Sequence, residues 1–177
     1  VHAVCLFPTL EAAMDFDAYV YGRLIKFPNK EEIFGRQQIY DGNDCVCGTE
    51  PNLLINATEI SFDGLWELVR SYGGVMFPAH IDKTANSLIA NLGFIPPDSR
   101  FRTAEVKDLK KLHQLKREQP YLESCRIISN SDAHYLEYIH EPELTIQAEE
   151  RSAAAVVEAL ARGLQERRRG EKVPGND

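Results

Sequence analysis

The sequence predicts an α/β fold, on three observations. First, Val75-Met-Phe77 and Ile127-Ile128 are short apolar runs of the β-branched and aromatic kind, which is how a buried parallel strand reads. Second, both runs end abruptly in metal-ligand residue types. His80 follows the first, and Asp132 and His134 follow the second in a D-x-H spacing. Third, stretches with helical apolar spacing alternate with such runs along the chain. In barrel-type α/β enzymes the chemistry sits where the strands end. Imidazole and carboxylate together suit zinc, iron or manganese. Two strand ends that carry the same ligand types therefore suggest a metal hydrolase site. The bland alternative for His80 alone is a capped or solvated residue, and D-x-H alone is a weak signal.

The elements follow in order. Residues 2–7 read as a buried strand. Pro8-Thr9 punctuates, and Thr9 can cap a helix from Leu10 to about Leu24, with Glu11 in its first turn. Residues 25–57 mix short apolar runs with Gly, Asn and Asp and read as an excursion holding a hairpin and a short helix near Glu31–Arg36. Within it, Cys45-Val-Cys47 lies in the Asp41–Gly48 segment, where a turn between two strands competes with a metal role. Ser61–Ser71 carries a helical stripe of Phe62, Leu65, Trp66, Leu68 and Val69 that Gly73-Gly74 ends. Trp66 on that stripe reads as core, with ligand stacking as the alternative. After the strand at Val75–Phe77, residues 83–92 read as a short helix, Ala104–Val106 as a strand and Asp108–Leu115 as a charged helix with His113 facing solvent. Arg126–Ser129 and Glu143–Gln147 read as the last strands. Ser152–Arg167 reads as a closing helix, and Arg167-Arg-Arg169 with 170–177 as a solvated tail.

Composition narrows the function. At 177 residues and 44% hydrophobic, the chain can bury one sizeable core. A net charge of −7 argues against a general grip on long nucleic acid, which needs a basic face. It leaves room for a small phosphorylated substrate, because bound metal supplies local positive charge. Four cysteines without a C-x-x-C pair fit a reducing, cytoplasmic setting. The sequence has no apolar run of transmembrane length.

Three blocks carry a family resemblance: Gly73-Gly-Val-Met-Phe-Pro-Ala-His-Ile-Asp82, Ser87-Leu-Ile-Ala-Asn-Leu-Gly-Phe-Ile-Pro96 and Ile128-Ser-Asn-Ser-Asp-Ala-His-Tyr-Leu136. In order and spacing they resemble the PHP (polymerase and histidinol phosphatase) family of metal-dependent phosphoesterases, over about residues 1–147. The resemblance implies a distorted (β/α)7 barrel, with up to three divalent metal ions (Zn, Mn or Fe) at the C-terminal ends of its strands. Residue by residue it implies that His2 and His80 are ligands of one metal, Asp132 of a second and His134 of a third, with Asp132 and His134 in the catalytic set. The cap excursion at 25–57 would help to select substrate. Family members open with an H-x-H strand, and then supply another His and a bridging Glu. This chain begins Val1-His2-Ala3 instead. The expectation is therefore a barrel incomplete at its N-terminal side, weak metal loading alone, and association with the missing segment or a homodimer partner.

Asp82 can orient a ligand or bind substrate, with a loop cap as the alternative. Arg23 and Lys26 are candidates for a phosphate pocket or for solvated charge, and His140 is unassigned. Ser129 and Ser131 lack the G-x-S-x-G context of a serine hydrolase. The leading expectation is hydrolysis of a small phosphorylated metabolite or nucleotide through a metal-bridged hydroxide. A non-catalytic binding or assembly module with a degenerate site is the alternative. A nuclease-like role is a third reading, which the acidic balance disfavours.

Overall fold

The computed structural model describes residues 1–142 and 144–164. The chain divides into Val1–Ala13 with the stretch from Phe62 onward, and Met14–Ser61. The division falls inside the first helix, α1 (Leu10–Gly22), where Thr9 Oγ1 accepts from the Ala12 N–H as an N-terminal cap.

The larger unit contains β1 (Ala3–Leu6), α3 (Phe62–Ser71), β4 (Val75–Pro78), α4 (Leu88–Leu92), β5 (Thr103–Glu105), α5 (Leu112–Glu118), β6 (Arg126–Ile128) and α6 (Ala153–Arg162). β1 pairs antiparallel with β4, with Ala3 opposite Pro78 and Leu6 opposite Val75. β5 pairs parallel with β6, from Thr103 opposite Arg126 to Glu105 opposite Ile128. The core gathers Val75 and Phe77 of β4, Ile128 of β6, and Val157 and Leu160 of α6, with Val4 and Leu6 packed against it. α6 is tied down at its end, where Thr103 Oγ1 donates to the Leu160 carbonyl at 2.7 Å. The helix stops at Arg162 rather than Arg167, because Gly163 turns the backbone at φ 67°. Gly74 permits a close approach. A Cβ there would lie 2.7 Å from the Leu6 carbonyl oxygen and from the Phe7 ring.

These strands correct the expected (β/α)7 barrel, whether complete or lacking its first strands. Among the described residues every strand is three or four residues long, and each lies in a sheet of two. Strands this short build no continuous ladder that could close on itself. β4, read as a parallel strand, is paired antiparallel, and Pro78 ends it by removing a backbone donor. The last expected strand also fails. Glu143 lies outside the described residues, and Leu144–Gln147 are exposed without strand pairing. Arg167–Arg169 and residues 170–177 lie outside the described residues. Among those described, no helix is long and apolar enough to cross a membrane.

The unit Met14–Ser61 holds α2 (Glu31–Phe34) and the hairpin β2 (Gln38–Tyr40) with β3 (Val46–Thr49). The turn is built by Asp41, whose Oδ1 accepts from the N–H of Asn43 and of Cys45 at 2.8 and 3.0 Å. Cys45 and Cys47 are free and exposed beside it. Gln37 laces the hairpin base. Its amide donates to the carbonyls of Glu50 and Asn52 and accepts from the Leu54 N–H.

Candidate metal centre

The antiparallel register of β1 and β4 makes the site. Because Ala3 faces Pro78, the residue before β1 lies beside the residues after β4. The Ala79 N–H donates to the His2 carbonyl at 3.1 Å, and the His2 N–H to the Asn86 carbonyl at 2.7 Å. His2 Nδ1 thereby stands 3.2 Å from His80 Nε2, with the two rings edge to face.

His80 is buried and held from behind. Its N–H donates to Glu105 Oε2 at 2.9 Å, while Asn130 Nδ2 donates to the other oxygen, Oε1, at 2.8 Å. The Ile81 N–H donates to the Glu105 carbonyl at 2.8 Å. One buried carboxylate at the end of β5 thus fastens the loop after β4 to the loop after β6. His80 Nδ1 is buried with no hydrogen-bond partner, so the protein satisfies only one nitrogen of this ring.

Asp132, which follows β6, lies near enough to His2 and His80 for their charges to interact. Its Oδ2 accepts from Lys83 Nζ at 2.7 Å, and Lys107 Nζ lies 3.8 Å away. Partial burial works against ionisation, but the Lys83 ammonium outweighs it by hydrogen bond and charge, with His80 and Lys107 adding to it. The carboxyl therefore titrates below the ordinary aspartate range. Burial first, and then the neighbouring His80, hold His2 below the usual histidine value. His80 and Asp132 both have positive φ, 31° and 49°. Backbone strain of this sort gathers at working sites.

His134 and Asp82 do not join them. His134 is exposed and has no hydrogen bond or ion pair with His2, His80 or Asp132. Asp82 accepts from the N–H of Lys107 and of Asp108 at 2.8 and 2.9 Å, and so caps the loop after β5. Arg23 and Lys26 lie over the rings of Tyr19 and Tyr21 within Met14–Ser61. His113 and His140 are exposed. Burial pushes the Cys5 and Cys125 thiols up to about 11, which makes them poor nucleophiles. Sequence reading missed Glu105, Asn130 and Lys83. The signal for Glu105 was present as a carboxylate inside the apolar run Ala104-Glu-Val106.

The donor set fits one metal ion in part. Two nitrogens bound at about 2.0–2.1 Å to one tetrahedral zinc stand roughly 3.3 Å apart, close to the His2–His80 spacing. A carboxylate ligand would have to come from Asp132, which Lys83 holds at present. Among the described residues, no group of three or more His, Cys, Asp or Glu side chains converges closely enough to hold a metal ion.

Comparison with protein-family models, with curated proteins and with solved structures finds no match to this chain.

Proposed function

We propose that this chain is a metal-dependent phosphoesterase acting on a small phosphorylated metabolite or nucleotide. The observation that carries the reading is the His2–His80 pair at 3.2 Å, with the Asp132 carboxylate near enough to act on both rings electrostatically. The resemblance of the three sequence blocks to PHP phosphoesterases supports the same reaction class. His2 and His80 would hold one divalent ion, with Asp132 as the third ligand. When bound, the ion supplies Lewis acidity toward phosphate oxygens and a lowered pKa for water.

The protein's own groups suit a phosphate. Lys83 and Lys107 set two ammonium groups beside the Asp132 carboxylate, and either could meet a phosphate oxygen. If Asp132 turns to a metal, Lys83 loses its partner and becomes available to a phosphate oxygen. Glu105 fixes the His80 backbone, which holds the residue beside His2. We place the protein in the cytoplasm, a reading that its four free cysteines support.

A binding or assembly module is the second reading. It is favoured by the exposed position of His134 and by the hold of Lys83 on Asp132. Elemental analysis after dialysis against zinc or manganese, beside His80→Ala and a phosphomonoester hydrolysis assay, separates the two. Stoichiometric metal lost in the variant, together with metal-dependent hydrolysis, is the expected result. Stoichiometric metal without hydrolysis, or no stoichiometric metal at all, would overturn the phosphoesterase reading and favour the module.

A further inference from the structure

The larger unit carries a second cleft, of about 600 Å³, at the start of β4 rather than after its end, where His80 lies. Its floor is apolar, formed by Val75, Met76, Val157 and Ala161, and the Trp66 indole makes one wall. Four guanidinium groups, of Arg70, Arg100, Arg102 and Arg162, stand around it with a single carboxylate, Glu158. In a chain of net charge −7 this is a local reversal of sign.

The four arginines are not equivalent. Arg100 pairs with Glu67 and lies over the Trp66 ring, 5.5 Å from its centroid. Arg162 pairs with Glu158, and with Glu149 at 3.4 Å, so the lone carboxylate of the cleft is neutralised. Arg70 and Arg102 have no ion-pair partner among the described residues, and both are exposed. A guanidinium presents a planar fork of donors that matches phosphate oxygens. The volume lies within the range of small-molecule sites, which combine an apolar lining with a few placed polar groups.

We propose that this cleft binds an aromatic monophosphate of the nucleoside-monophosphate class. Arg70 and Arg102 take the phosphate, and the ring lies on the apolar floor against Trp66. Bare phosphate would leave that floor wet, and an uncharged ring would leave both arginines unused. The site is separate from the metal centre and does not depend on it.

Trp66 is the only tryptophan of the chain, so its fluorescence reports this cleft directly. Titration of the full chain with AMP, under selective indole excitation and without added metal, should give a saturable change. The double variant Arg70→Ala/Arg102→Ala should weaken AMP binding about tenfold or more, because two charge-assisted contacts are lost. Arg117→Ala removes one positive charge outside the cleft lining and should leave binding unchanged. Adenosine and inorganic phosphate should each bind more weakly than AMP. The proposal is overturned if AMP gives no saturable change at millimolar concentration, if adenosine or phosphate alone matches AMP, or if the double variant, folded by circular dichroism, binds as tightly as the parent. Calorimetry on Trp66→Phe checks the floor independently, and weaker but measurable AMP binding is expected.

Discussion

Asp132 and His2 both hold their protons less tightly in the folded chain than they would unfolded. As pH falls, the unfolded chain therefore takes up protons first, and stability declines. The His2 contribution is complete above the ordinary histidine value of 6.5 and is lost as the pH drops through the lower folded value. The Asp132 contribution is complete above 3.8 and is lost in the same way in stronger acid. Urea midpoints measured across this range should show the neutral-side slope reduced in His2→Ala and the acid-side slope reduced in Asp132→Asn. A second residue-scale test uses strain. Asparagine, like aspartate, is among the few non-glycine residues that accept positive φ, so Asp132→Asn keeps the backbone turn while removing the charge. It should abolish metal uptake yet change stability by less than about 1 kcal/mol, since the Lys83–Asp132 pair is only partly buried. A larger loss in thermal unfolding would mean that the ion pair, and not a ligand role, is what Asp132 is for.

The β1–β4 pair and the β5–α6 junction each hang on one close approach. Gly74→Ala would force a methyl group against the Leu6 carbonyl and the Phe7 ring, so the two strands must separate. The expected cost is about 1–3 kcal/mol, with weaker metal binding because His2 moves with β1. Gly163→Ala meets the Arg102 carbonyl at 2.7 Å while also requiring φ 67°, and should cost a similar 1–3 kcal/mol without touching metal binding. Denaturant midpoints, read beside a zinc titration, distinguish the two variants. Leu160→Ala, in the core, should cost about 2–5 kcal/mol. At this scale much was legible in the sequence. The stripe Phe62–Val69 is a helix, Gly73 closes it, and Asp41–Cys45 is a hairpin turn, because each rests on a local rule of spacing or turn chemistry. The pairing of β4 was not legible. An apolar run such as Val75–Phe77 states that it is buried on both sides and is silent about the direction of its neighbour. Of the candidate ligands, His80 and Asp132 were marked by the strands they follow. That His2 would lie with His80 was expected through the family resemblance alone, and the two do meet; that His134 would stay outside was not expected, because it depends on a loop path that no short motif encodes.

Across the whole molecule, burial is uneven. Met14–Ser61 contributes only Phe16, Leu24 and Leu53 to the buried apolar set, while Ile25, Phe27, Ile33, Phe34, Ile39 and Tyr40 remain exposed in it. The other unit buries all of β4 and β5. Segments with few buried apolar contacts open at lower free energy. Hydrogen exchange should therefore run distinctly faster through β2 and β3 than through β4, β5 and β6, and equal protection of the two sets would contradict this. The β1–β4 register carries a further consequence. A strand of four residues has, in effect, a reading frame. Inserting or deleting one residue between His2 and Leu6 would turn every later side chain to the opposite face, and the imidazole pair would be lost along with the apolar packing of Val4 and Leu6. Length changes among residues 14–61 shift no position within that pairing. A change of length in the long excursion thus leaves the imidazole pair in register, whereas one between His2 and Leu6 does not.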